Sequence, residues 1–164
     1  MKATPPLPAL AAAAVILLLA AGCATSPEDV ADPTLVVEQT GEAHISPESS
    51  PEVQDVFSAP LSATTPEETV IQRFDLRVTD ETGETVYSYS AQGEEGGFFS
   101  GPEPLALPEN LVWRGTDDEG EPVSNGGYRI EATIADSIGQ KATAGPVNVV
   151  VDNTPPRAEV QAPY

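Results

Sequence analysis

The sequence predicts an all-β protein: an antiparallel β-sandwich of about six to seven strands, preceded by a signal peptide and a disordered stalk. Three observations predict it. Apolar and polar residues alternate with period two in several short segments, as half-buried strands require. Gly, Pro, Asn and Asp punctuate the gaps between those segments, as tight turns require. No segment beyond the apolar amino terminus carries a helical period, and short strands without helices pack as two sheets.

The chain starts MKATPPLPALAAAAVILLLAAGC. Lys2 and the free amine are positive, and the apolar run from Leu7 to Gly22 is shorter than the ~20 residues of a spanning helix. This is the layout of an export signal over residues 1–22. Residues 23–43 are rich in Pro, Ser, Thr and Glu and hold no aromatic residue. Such composition buries too little apolar surface to offset chain entropy, so a flexible acidic tether is expected there. Within it, only Thr34–Val37 has the makings of a short strand. His44 lies near the end of this region and reads as a solvated side chain.

Residues 44–152 are expected to form the sandwich. Phe57, Ala59 and Leu61 mark one strand face. Val70, Phe74, Leu76 and Val78 oppose Arg73, Asp75 and Arg77 on the next. In TVYSYS, Val86 and Ser88 oppose Tyr87 and Tyr89, and the pattern leaves open which side faces inward. Residues 91–109 read as a long loop whose Phe98, Phe99, Leu105 and Leu107 cap one end of the core. A short strand over 110–114 directs Leu111 and Trp113 inward; YRIEATIAD does the same for Tyr128, Ile130, Ala132 and Ile134. PVNVVVD supplies the last strand through Val147, Val149 and Val151. Roughly 100 residues suffice for such a core without disulfides, and residues 153–164 follow as a linker.

Composition bounds the function. Of 164 residues, 7 are Lys or Arg and 26 are Asp or Glu, a formal charge of −19. An acidic surface repels phosphate backbones, so no nucleic acid partner is expected. One Cys and one His leave no cysteine zinc set and little for a nucleophile–base pair. No catalytic residue, cofactor or resident metal is expected. The densest cluster of carboxylates is Asp117, Asp118 and Glu119, a weak calcium candidate because consecutive side chains diverge whereas calcium loops place ligands at alternating positions.

The same cluster has a local explanation. Asp80–Glu84, Asp117–Glu121 and Asp136–Gln140 share the form Asp-x-x-Gly-x. Asp at the first position can accept a hydrogen bond from the backbone two residues on. Gly at the fourth can adopt the left-handed conformation that closes a hairpin with a bulge. Exposed Tyr87, Tyr89, Phe98 and Phe99 remain the candidates for a glycan- or protein-binding surface.

Two resemblances add to this reading. Leu19-Ala20-Ala21-Gly22-Cys23 resembles a bacterial lipobox, with Ala20 where the family favours Leu. The resemblance implies a diacylglyceryl group on Cys23 and a membrane partner through it. Ala24 carries no inner-membrane retention signal, so the outer membrane is the expected address; ordinary secretion and an uncleaved anchor are the alternatives. The run Trp113, Gly115, Asp117, Gly120, Pro122-Val123, Gly127 and Tyr128 resembles the Ig-like domain of FlgD, the flagellar hook-capping protein. Ile45-Ser46-Pro47 to Gln54-Asp55 is similar to the segment that opens such modules, and the final Thr154-Pro155-Pro156 to the linker that starts another. The family implies an Ig-like fold over 44–152. Hook-capping proteins are not lipidated and carry an amino-terminal docking region that this sequence does not match. The expected function is therefore a non-enzymatic, lipid-anchored envelope protein presenting the module as spacer or interaction domain. A specific adhesin-like binder, or a piece of a larger repeat protein, is the alternative.

Overall fold

The computed structural model describes residues 30–48, 55–94, 96 and 101–155. Eight strands follow one another: β1 (Thr34–Val37), β2 (Ala43–Ile45), β3 (Phe57–Thr64), β4 (Ile71–Thr79), β5 (Thr85–Gln92), β6 (Asn110–Trp113), β7 (Gly126–Asp136) and β8 (Lys141–Val151). They form a three-stranded sheet, β1-β3-β6, and a five-stranded sheet, β2-β8-β7-β4-β5. The described residues contain no helix.

The two sheets face each other across the predicted core. Alternation brings Phe57, Ala59 and Leu61 inward from β3, and Leu111 and Trp113 from β6. Phe74, Leu76 and Val78 meet them from β4, and Tyr128, Ile130, Ala132 and Ile134 from β7. Val78, Ile130, Ile134 and Val149 are fully enclosed, each contributing about 1.5–3 kcal/mol of hydrophobic stabilisation. Leu105 and Leu107 pack against this core half-buried, and the amide of Leu105 donates to the Ile71 carbonyl at 2.8 Å.

The expected tether over 23–43 is corrected in its second half. Thr34–Val37 pairs antiparallel with β3 from Thr34↔Thr64 to Val37↔Leu61, and it buries Leu35. Four residues suffice here because β3 supplies the partner edge and the opposing sheet supplies the apolar cover; a stretch so short shows little alternation of its own. β2 also departs from expectation. It pairs parallel with β8, Ala43↔Val149 to Ile45↔Val151, whereas every other strand pairing is antiparallel. The boundary expected at residue 44 thus falls inside a strand, and Ile45 is a core residue.

Both ends of the described chain are fastened. Near the start, the Val30 carbonyl accepts from Gln140 Nε2 at 2.9 Å, at the β7–β8 turn. At the other end, Asn125 Oδ1 accepts from the amide of Asn153 at 2.8 Å, and Asn125 Nδ2 donates to Thr154 Oγ1 at 2.9 Å.

Candidate functional site

The three Asp-x-x-Gly-x turns share one geometry. Asp80 Oδ1 accepts from the amides of Thr82 (2.8 Å) and Glu84 (2.9 Å). Asp117 Oδ1 accepts from Glu119 (3.0 Å) and Glu121 (2.9 Å), and Asp136 Oδ1 from Ile138 (3.1 Å) and Gln140 (2.8 Å). In each the glycine amide donates to the carbonyl of that Asp at 3.1 Å. Gly83, Gly120 and Gly139 have φ of 88°, 84° and 89°, a conformation that side chains with a Cβ resist. The first carboxylate of each turn therefore holds the backbone of its own hairpin.

Asp118 has a different task. Its Oδ1 accepts from the Ser88 amide at 2.7 Å, and its own amide donates to the Val86 carbonyl at 3.2 Å. The turn thereby docks along the free edge of β5, covering backbone groups that would otherwise invite another strand. Asp117, Asp118 and Glu119 do not converge: Asp117 turns into its own loop and Asp118 reaches across to β5. Among the described residues no group of three or more His, Cys, Asp or Glu side chains is placed to hold a metal ion.

The residues flanking the turn build its base. Trp113 is buried, its Nε1 donates to the Thr116 carbonyl at 2.9 Å, and its ring lies 5.2 Å from that of Tyr128, tilted by 55°. The Tyr128 hydroxyl donates to the Ser124 carbonyl at 2.7 Å, and burial raises its pKa above the ordinary phenol value. Gly115 has φ of 69°, and a Cβ there would sit 2.7 Å from Pro47 Cγ. The amide of Gly127 donates to Glu81 Oε1 at 3.0 Å. Trp113, Gly115, Asp117, Gly120 and Tyr128 thus serve one loop and its seat, whereas Gly127 is tied to the β4–β5 turn through Glu81.

The proposed aromatic surface is only partly described. Tyr87 is half-buried and Tyr89 is 49% exposed. Their register opposite Val78 and Leu76 puts both on the core-side face of β5, which resolves the orientation that alternation left open. They line an apolar groove of about 480 Å³ with Leu105, Leu107 and Leu111, and the Tyr89 ring tilts against buried Phe74 at 6.3 Å. Phe98, Phe99 and Cys23 lie outside the described residues. His44 stands on β2 with an exposed side chain, 3.5 Å from Glu42.

No family model matches the sequence, and no curated protein matches it. Among solved structures, dimeric latent PorU from Porphyromonas gingivalis is similar over 74% of this chain and 10% of that one, at 17% identity and a TM-score of 0.47. The chain thus spans about a tenth of that protein's length.

Among the described residues, three carboxyls have folded-state pKa values below the ordinary range. Asp80 is lowered chiefly by the Thr82 hydroxyl, Asp75 by the Arg73 guanidinium, and Asp152 by Thr154. Their contribution to stability is present above the unfolded carboxyl pKa of about 4 and is lost as pH falls through the lower folded values. The melting temperature should therefore hold from pH 7 to 5 and fall below about pH 4. The measurement belongs in about 0.5 M NaCl, where repulsion among the excess carboxylates is screened. A melting temperature that rises from pH 5 to 3 would contradict this assignment.

Proposed function

We propose that this chain is a non-enzymatic, lipid-anchored envelope protein whose FlgD-type Ig-like sandwich serves as an interaction domain held off the membrane. The observation that carries the non-enzymatic part is the use of the acid-rich stretch. Asp117 braces its own turn and Asp118 docks that turn on β5; a catalytic pair would need carboxylates converging on a cleft with divergent pKa values. The run from Trp113 to Tyr128 supports the FlgD-type assignment. The lipobox-like sequence ending at Cys23 supports the anchor. The two acyl chains of a thioether-linked diacylglyceryl group would hold the protein on a bilayer, where a single chain gives only marginal binding.

Metabolic labelling with palmitate tests the anchor. The wild-type protein should take up label and partition with the membrane fraction, and Cys23→Ser should do neither. Label retained in Cys23→Ser would overturn it.

A further inference from the structure

The chain leaves the sandwich through a clasp built on one asparagine. Asn125 is exposed in the turn before β7, and its Oδ1 accepts from the Asn153 amide at 2.8 Å. Its Nδ2 donates to Thr154 Oγ1 at 2.9 Å and to Asp152 Oδ1 at 3.3 Å. The same short segment fastens β2. The Asp152 amide donates to the Ile45 carbonyl at 3.0 Å, and Asn153 Oδ1 accepts from the Glu48 amide at 3.0 Å. One side chain thus secures the exit and, through Asn153, the residues that follow β2.

Sequence sets Asn125 apart. The chain holds four asparagines, and Asn110, Asn148 and Asn153 are followed by Leu, Val and Thr. Those bulky side chains obstruct the approach of the next backbone nitrogen to the asparagine carboxamide. Asn125 is followed by Gly126, which has no side chain and open space where a Cβ would stand. Glycine also has the widest backbone freedom. Gly126 is the first residue of β7, and the ends of elements open at little cost.

We propose that Asn125 is a site of spontaneous deamidation, and that its conversion releases the exit segment from the sandwich. The Gly126 nitrogen attacks Asn125 Cγ, and the new C–N bond closes a five-membered succinimide. The bond from Cγ to Nδ2 breaks, and Nδ2 leaves as ammonia with the proton given up by the Gly126 amide. Water then opens the ring, to aspartate at one carbonyl and to isoaspartate at the other.

The product cannot rebuild the clasp. The single hydroxyl proton of Thr154 serves Asp152, whose carboxyl it holds below the ordinary range. In the closed clasp Asn125 Nδ2 brings its own proton to the Thr154 oxygen. A carboxylate oxygen in that place brings none, and it sets a second negative charge beside Asp152 Oδ1, where like charges repel. Isoaspartate also adds a carbon to the backbone, which displaces Gly126 from its partner Val151. Ring closure requires Asn125 to let go of Asn153 and Thr154 first, so the clasp restrains the reaction and the reaction, once complete, keeps the clasp open. This inference goes beyond the proposed function and rests on neither the anchor nor the interaction role.

The test incubates the purified full chain in nonionic detergent at neutral and mildly alkaline pH, with a urea-unfolded sample beside it. Peptide mass spectrometry reads the one-unit mass gain at each asparagine. In the folded chain the gain is expected at Asn125 alone, as both aspartyl and isoaspartyl products, and faster at the higher pH because the attacking nitrogen must lose its proton. Thr154→Ala should speed it by about fivefold, the worth of one net hydrogen bond. In Asn125→Asp, amide exchange over residues 152–154 should be at least about fivefold faster by the same measure, with exchange in β4 unchanged. An Asn125 that stays intact while the unfolded chain converts would overturn the proposal. So would an unaltered rate in Thr154→Ala, or wild-type exchange at the exit of Asn125→Asp.

Discussion

Trp113→Ala is expected to lower the unfolding free energy by about 3–5 kcal/mol, a large share of what a domain of this size possesses. The indole is 2% exposed, so its removal leaves a cavity in a close-packed layer. The ring also packs at a tilt against Tyr128 at 5.2 Å, and its Nε1 donates to the Thr116 carbonyl. Its loss therefore loosens the turn over 116–122 as well as the core beneath. Urea titration followed by tyrosine fluorescence or circular dichroism gives the number. A loss under about 1 kcal/mol, the range of ordinary surface changes, would mean that Trp113 is not the seat of this loop.

Leu35→Ala should cost about 2–3 kcal/mol, while Val36→Ala, one residue on, should be nearly silent. Leu35 is 8% exposed and faces the core from β1; Val36 is 49% exposed on the outer side. A flexible tether would make both substitutions silent. Paired urea titrations separate the two cases, and equal midpoints for the variants would remove β1 from the sandwich.

These two residues also show how far a sequence carries. Trp113 was legible because it sits in an alternating strand beside Asp and Gly residues at the spacing of a tight turn. β4 and β7 were legible because nine and eleven residues give alternation room to repeat. The role of Asp80, Asp117 and Asp136 was legible because each turn closes on itself within five residues. β1 and β2, at four and three residues, are too short to carry a period, and both draw their order from partners far along the chain. Asp118 illustrates the same limit, since its acceptor role depends on Ser88, thirty positions away. The outer face of the five-stranded sheet was half visible. Outward Arg73 and Arg77 follow from alternation, as does Arg129, but their meeting with Lys141 depends on register, which no local pattern encodes.

The parallel pairing of β2 with β8 has a mechanical consequence. The chain enters beside the β7–β8 turn, where Val30 is held by Gln140, and leaves beside Asn125. Those poles are separated by the length of β8, eleven residues or about 35 Å. A pull applied between them draws β2 and β8 in opposite directions along a shared axis. Their hydrogen bonds are then loaded together in shear, whereas an antiparallel pair joined by a hairpin would unzip one bond at a time. Tension along that axis would therefore meet the β2–β8 pair in shear.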